Sequence, residues 1–471
     1  MLAVTMSDNT KTPWLGDMCS LVDAFRSGER NPVEELEATL AAVEASELNA
    51  ISHVDAESAR SAAKNADVSK PLGGVPLGIK ELDQVEGWPD TSASLPLKDK
   101  VAEGDSIFVK RLREAGAVLF GLTTASEFGG VNLTYTKLNG ATKNPWNFEH
   151  TPGGSSGGAA AAVAGGLMTI GNGGDGGGSI RIPASFTGLP GLKATYGRIP
   201  KGPGSMVGSM TAVQGCLARS IRDTARYFDV CKGFERHDPY SLLHDGRSWE
   251  QDLGTMDLKG RKVAVNPTLG VAVVHPEIEE LILEHAKLLI EDAGLEQVDV
   301  DIELPDLGSE WAFAGLAGVF ADLEERYPDC AADLTPEIGF AAKLANDYYD
   351  IRRRTIVETR RIIMNEALAN VFDQVDFVIT ASCPDVAFDA TGPLRTQVGD
   401  KQVSLANNGA LTIPANIYGS PSISIPVGLS RGLPVGMQVM GRHHEEQLLL
   451  DLGLIAERER PWPLVAPGSP L

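Results

Sequence analysis

The chain has 471 residues, 43% of them hydrophobic and 22% charged, and a formal net charge of −22. That composition suits a globular protein with a sizeable core, and its acidity argues against a nucleic-acid-binding surface or adhesion to an anionic membrane. The cysteines (Cys19, Cys216, Cys231, Cys330 and Cys383) are odd in number and never form a CxxC pair, which points to a reducing compartment without a disulfide framework or a zinc site.

The opening MLAVTMSDNTK lacks a basic region, and its apolar run is too short for a signal peptide. No stretch approaches the roughly 18 apolar residues of a membrane span, so a cytoplasmic location is expected. Two helical stretches occupy about residues 15–50. In the second, Asn31 caps, Pro32 takes the first turn, and Glu34 and Glu35 suit the positive end. GGVPLGIKELD reads as a short buried strand ending at Lys80. SIFVKRLREAG reads as a helix stopped by Gly116, and AVLFG as the next strand.

A Gly/Ser/Ala-rich centre runs from about Thr151 to Gly191, including the small-residue helix AAAAVAGG and the strand-like LMTI. Beyond it, SIRDTARYFDVCKGF is a helix, KVAVNP a strand and HPEIEELILEHAKLLIEDAG an amphipathic helix. LEQVDVDI and VDFVIT read as strands, and PSISIPVGLSRGLPVGMQVMG as a hairpin turning at Ser430-Arg431-Gly432. Residues 235–260, rich in Asp, Gly and His, are expected to form a surface excursion. Alternating strands and helices without an internal repeat predict one large α/β domain around a mostly buried sheet.

Two glycine–serine segments carry the chemistry, TPGGSSGGAAAAVAGG and GNGGDGGGSIRIP, the second with six glycines between Gly171 and Gly178. Neither is followed by linker composition. The G-x-G-x-x-G from Gly171 to Gly176 imitates a dinucleotide fingerprint. It is followed, however, by Pro183, Gly188 and Pro190, and no acid lies about 20 residues on to meet a ribose. The G-x-S-x-G matches at Ser155 and Ser156 lack the strand that precedes a nucleophile elbow. None of the downstream histidines (His237, His244, His275, His285, His443, His444) has a suggestive context. The SAAK at Ser61–Lys64 and the SDN at Ser7–Asn9 stand in the wrong order for a penicillin-binding site.

Serine chemistry with a base other than histidine remains. A lysine serves if burial depresses its pKa, because a desolvated ammonium loses its proton more readily. Lys80, at the end of an apolar strand, is the candidate, although the strand alone does not separate a buried base from a lysine emerging at a strand end.

The segments GVPLGIKELDQVEG, ATKNPWNFEHTPGGSSGGAAAAVAGG, GNGGDGGGSIRIPASFTGLPGLKATYGRIP and GSPSISIPVGLSRGLPVGMQVMG closely resemble the amidase signature family, in its order and over nearly the whole chain. The resemblance implies a three-layer α/β/α fold with a central mixed sheet and one domain over 1–471. Its parts would be a catalytic core at about 70–235 and a C-terminal share of sheet and helices at about 260–460. It implies Lys80 as catalytic lysine, Ser155 as relay serine after a cis peptide bond, and Ser179 as nucleophile. An oxyanion hole would come from the amides of Gly176, Gly177, Gly178 and Ser179, where bare backbone lets successive amides converge on one oxygen. Asp175 and Arg181 are expected to brace that loop, and Ser156 to stand behind the relay.

Gly174-Asp175-Gly176 replaces the larger residues the family commonly carries there. Gly129 and Gly130, in SEFGG, fall on the loop expected to line the acyl pocket, so a wider pocket is expected at both places. The implied activity is hydrolysis of a carboxylic amide, without metal or cofactor. The expected partner is a small-molecule amide, with no nucleic acid and no membrane, and a homodimer is allowed. The alternative within the family is the glutaminase-type A subunit of a tRNA-dependent amidotransferase, which usually has Gln where Ile182 stands. A non-catalytic protein that kept the fold is the alternative of another class. The amide itself stays open among aliphatic, aryl and ω-amino-acid oligomer amides.

Overall fold

Short apolar runs bounded by glycine, proline or asparagine become buried strands, and the segments capped by Ser, Asn or Asp become the helices that cover them. The computed structural model describes residues 11–202 and 210–471. The N-terminal reading over residues 1–10, with the Ser7–Asn9 triplet, lies outside the described residues.

Helices run Met18–Ser27 (α1), Pro32–Ala45 (α2), Ala56–Lys64 (α3), Ile107–Glu114 (α4), Gly157–Ala164 (α5), Arg181–Thr187 (α6), Ile221–Cys231 (α7) and Pro276–Ala293 (α8). They continue with Gly308–Leu323 (α9), Pro336–Tyr348 (α10), Ile351–Phe372 (α11), Ile413–Tyr418 (α12) and Glu446–Glu459 (α13). Strands are Ile51–Val54 (β1), Pro76–Lys80 (β2), Val118–Thr123 (β3), Tyr135–Thr136 (β4), Gly140–Ala141 (β5), Ile170–Asp175 (β6), Gly191–Lys193 (β7) and Val213–Ala218 (β8). The later ones are Lys262–Val265 (β9), Glu296–Gln297 (β10), Phe377–Ala381 (β11), Gln397–Val398 (β12), Lys401–Gln402 (β13), Ser422–Ser430 (β14) and Leu433–Gly441 (β15).

The sheet is mixed and falls into two hydrogen-bonded stretches, ordered β1-β3-β2-β6-β8 and β10-β9-β11-β15-β14-β7, with β7 lying against β8 where they meet. Helix α13 packs on both α7 and α8, and all three lie on the sheet as one layer, while α5 and α6 belong to the other. Every residue of α5 is buried. Its alanines let the helix lie close to the sheet, and a Cβ on Gly158 would stand 2.4 Å from the Thr124 backbone nitrogen. Among the described residues no helix is long and apolar enough to cross a membrane.

The expected local signals are visible. Asn31 Oδ1 accepts from the Glu34 N–H at 2.9 Å, and Gly116 ends α4's segment at φ +93°. The β14–β15 hairpin turns through Arg431 and Gly432, both at positive φ, as a tight hairpin needs. Residues 235–260 form neither helix nor strand.

Three differences stand out. LEQVDVDI gives only Glu296–Gln297 as strand. The glycine run is itself strand as far as Asp175, because neighbours fill the space its side chains vacate: a Cβ on Gly173 would lie 2.7 Å from Leu217 Cδ2. Helices α9, α10 and α11 were not expected. In α11 the apolar residues are not confined to one stripe, since Ile351, Ile356, Ile362 and Ile363 are exposed while Val357, Met364 and Leu368 are buried.

One feature of the sheet positions the site. β2 runs parallel to β6, with Gly78 opposite Gly171, so the ends carrying Lys80 and Asp175 lie side by side. The carboxyl ends of parallel strands are where open α/β sheets bind ligands.

Candidate active site

Lys80 ends β2 and is 2% exposed. Its backbone N–H donates to Asn172 Oδ1, and Asn172 in turn donates to Asp83 Oδ2 at 2.9 Å, so the neighbouring strand fixes the lysine's position. Lys80 Nζ lies 2.8 Å from Ser155 Oγ, 2.8 Å from Ser156 Oγ and 3.4 Å from the Gly174 carbonyl. Burial pushes its pKa down from 10.5 to about 8, against the opposing pull of the Asp83 and Asp175 carboxylates.

The Gly154–Ser155 peptide bond is cis, and both serines are buried at the start of α5. Ser156 does more than stand behind the relay. Its Oγ contacts Lys80 directly, accepts from the Gly174 N–H at 3.2 Å and donates to the Gly174 carbonyl at 3.2 Å. Ser155 Oγ and Ser156 Oγ thus flank Lys80 Nζ at equal distance.

Ser179 follows the glycine turn. Its carbonyl accepts from the Ser156 N–H at 3.3 Å, which ties the two serine loops together. Among the described residues its Oγ makes no hydrogen bond, to Ser155 or to any other group.

The turn from Asp175 to Ser179 is held by its carbonyls. Asn416 Nδ2 donates to the Asp175 carbonyl at 3.0 Å, Trp311 Nε1 to that of Gly176 at 2.9 Å, and the Ile182 N–H to that of Gly178 at 2.7 Å. In a trans peptide the C=O and the next N–H point in opposite directions, so these three bonds orient the amides of Gly176, Gly177 and Ser179. Those amides donate to no other group among the described residues. Gly178 departs from expectation. Its N–H donates to Asp175 Oδ1 at 2.8 Å, which removes it from the free donor set. Gly178 is also the one glycine of this run at positive φ, +130°.

Asp175 and Arg181 are both fully buried. Arg181 also donates to Thr412 O, Gln438 Oε1 and Asn416 Oδ1. Burial alone would raise the Asp175 pKa, but the guanidinium charge and the hydrogen bonds from Arg181 and Asn416 hold the carboxyl well below its usual range. The pair thus pins the turn to β15 and α12.

Ser179 opens onto a cavity of about 330 Å³. Its lining is mostly apolar, including Ile182, Leu316, Leu344, Leu394 and Ile413, and Gly129 and Gly130 belong to it. The expectation that Gly174 and Gly176 widen this space is corrected. Neither lines the cavity, and a Cβ on Gly176 would face Ala212, one on Gly174 Gln214. The room left by Gly130 is filled as well, since a Cβ there would stand 2.4 Å from Ile338 Cδ1.

Sequence reading missed Trp311, Thr412, Asn416 and Gln438. Each is far along the chain from the turn it serves; Trp311, Thr412 and Asn416 stand in segments without motif character, and Gln438 stands in the late hairpin, where nothing marked it as a partner of that turn. Asn172 was missed as well; like Asp175 it interrupts the glycine run with a polar side chain, and that interruption was the available signal.

A family pattern described as Amidase matches residues 34–450. The A subunit of the glutamyl-tRNA(Gln) amidotransferase of Roseiflexus sp. (strain RS-1) is 34% identical, the match covering 95% of this chain and 97% of that protein. Among solved structures, a bacterial aryl acylamidase of the amidase signature enzymes superposes with a TM-score of 0.89 at 27% identity, covering 95% of this chain and 97% of that one. The corresponding A subunit of Thermotoga maritima gives 0.74 at 25%, covering 93% and 94%.

These likenesses correct the expected partners, a small-molecule amide without nucleic acid and at most a second copy of the chain. Curated relatives are named as one subunit of an enzyme whose name carries a tRNA. Net charge describes only a chain's own surface and does not speak to an assembly in which that chain would be one subunit.

Proposed function

Because the chain belongs to the Amidase family and is an enzyme acting on amides, we propose that it cleaves a carboxylic amide through an acyl-enzyme at Ser179, with Ser155 and Lys80 relaying the proton. The observation that carries this reading is the 2.8 Å contact between buried Lys80 Nζ and Ser155 Oγ, at the mouth of a turn with three amides unpartnered among the described residues.

In its neutral form Lys80 turns a lone pair to Ser155 and accepts its proton, while Ser155 takes the proton of Ser179. Ser179 Oγ swings toward Ser155 as the substrate fills the cavity and attacks the amide carbon. The amides of Gly176, Gly177 and Ser179 receive the negative oxygen; removing one such donor typically costs about 3 kcal/mol of transition-state stabilisation. The relay returns the proton to the departing nitrogen, and water then releases the acid. The test is mass-spectrometric: incubation with a fluorophosphonate should label Ser179 in the wild type and nothing in Ser179→Ala, and labelling elsewhere overturns the assignment.

The curated relatives support a further step: the chain works as the amide-cleaving member of an amidotransferase, passing ammonia to a partner that holds a charged tRNA. The cavity favours a second reading, cleavage of an amide with an apolar acyl or amine portion. Among the described residues no Lys, Arg or His lines it to grip the carboxylate of free glutamine, and the closer superposition is with the aryl acylamidase. Ammonia release by the purified chain from glutamine against a simple aliphatic or aryl amide separates the two. The residues involved span 80 to 438, so we take the chain as one functional unit, and five free cysteines fit a reducing, cytoplasmic setting.

A further inference from the structure

The cavity holds one charged side chain among the described residues. Glu337, in the first turn of α10, lines it among apolar neighbours, and the remaining polar side chains of the lining are the neutral Asn132, Asn408 and Ser179. An acid in a first helical turn is favoured by the helix dipole, which explains a glutamate at this position without explaining why it faces a substrate-sized space. Among the described residues no Lys, Arg or His lines the cavity and no cation pairs with Glu337. Residues 1–10 and 203–209 contain no Lys, Arg or His in the sequence. Glu337 is half-buried in a mostly apolar wall, and no counter-charge among the described residues faces it there, so a cation entering the cavity would be the first it meets.

We propose that Glu337 is a specificity-determining residue that selects amides whose apolar chain carries a cationic group, such as a primary ammonium, away from the scissile bond. The inference rests on the reading that Ser179 is the attacked centre's partner, because it is this that places the amide at one part of the cavity and the charged end at another. The apolar side chains take the methylenes of the chain. Glu337 accepts from the ammonium at the far end. The same lining rejects a substrate ending in a carboxylate, which would meet a like charge with no cation to offset it.

Calorimetric titration of the full-length Ser179→Ala protein tests this without relying on turnover. The ligands are 6-aminohexanamide, heptanamide and the monoamide of heptanedioic acid, equal in chain length and differing in terminal charge. The ammonium-ended amide should bind about tenfold more tightly than heptanamide, as expected for a hydrogen bond to a charged group, and the carboxylate-ended amide more weakly than either. Adding Glu337→Gln should bring the first two to parity, and Glu337→Lys should reverse the order in favour of the carboxylate. Equal binding of all three, absence of binding, or a preference that survives Glu337→Gln overturns the proposal. If the preference holds while the wild type cleaves none of the three, the acyl-enzyme reading fails and the recognition site stands.

Discussion

The Arg181 guanidinium grips the Asp175 carboxylate at two points, Nε to Oδ2 at 3.0 Å and Nη2 to Oδ1 at 2.9 Å, with neither side chain reaching solvent. The same carboxylate accepts from the Gly178 and Ile180 N–H groups, so one ion pair sets the shape of the turn ahead of Ser179.

Removing one partner therefore leaves a buried charge uncompensated. Arg181→Met should lower unfolding free energy by about 3–5 kcal/mol, read from urea denaturation, and abolish amide cleavage. The pH dependence follows from the Asp175 carboxyl, held below its ordinary 3.8 when folded. Its contribution to stability is complete above the unfolded-state value and is lost as pH falls through the folded one. Asp175→Asn should flatten that acid limb.

Lys80 has the opposite sense of shift for its charge. Its folded pKa of about 8 lies below the ordinary 10.5, so the neutral, proton-accepting form accumulates above about pH 8. The rate constant kcat/KM should rise with pH and level off above that value, and a limb near 10.5 would contradict a buried base. Lys80→Ala should lower kcat/KM by several orders of magnitude while circular dichroism shows the fold retained.

Trp311 and Gly177 should prove interdependent. A Cβ on Gly177 would stand 2.4 Å from the Trp311 ring, whereas one on Gly176 meets Ala212 at an ordinary 3.5 Å. Gly176→Ala should keep near-normal activity and Gly177→Ala should lose it, with partial recovery in Gly177→Ala/Trp311→Ala. Trp311→Phe, which removes the donor to the Gly176 carbonyl, should lower kcat about 10- to 100-fold with little change in KM.

Glu127 ties the pocket loop to α10. Its carboxylate accepts from Ser94 Oγ and from the N–H and Oγ1 of Thr335, each at 2.7 Å. Glu127→Ala should cost about 2–3 kcal/mol of stability and raise KM more than it lowers kcat, since α10 carries part of the cavity wall.

What could be read from the chain was the local chemistry. Lys80 stood out because a charged residue ended an apolar strand, and Ser155 and Ser179 because small residues crowd beside them. The role of the glycines was only half legible. Most of the run is strand with neighbours packed into the missing side-chain space, and just one position uses a conformation that disfavours a Cβ. The braces from Thr412, Asn416 and Gln438 were invisible, since contacts across more than 200 residues leave no periodicity to detect. Nor did α9 to α11 announce themselves, because their apolar residues serve a cavity and a surface as well as a core.

Residues 80–181 hold Lys80, Ser155 and Ser179, at a strand end and in the two glycine–serine turns, while α9 and α10 form much of the chamber above them. Trp311 apart, whose indole reaches down from α9 to the Gly176 carbonyl, such a division lets mutation reshape the chamber while Lys80 and the serines keep their places. The helical canopy is thus the part of this chain where new guests can be fitted by recutting the roof and leaving the floor as it stands.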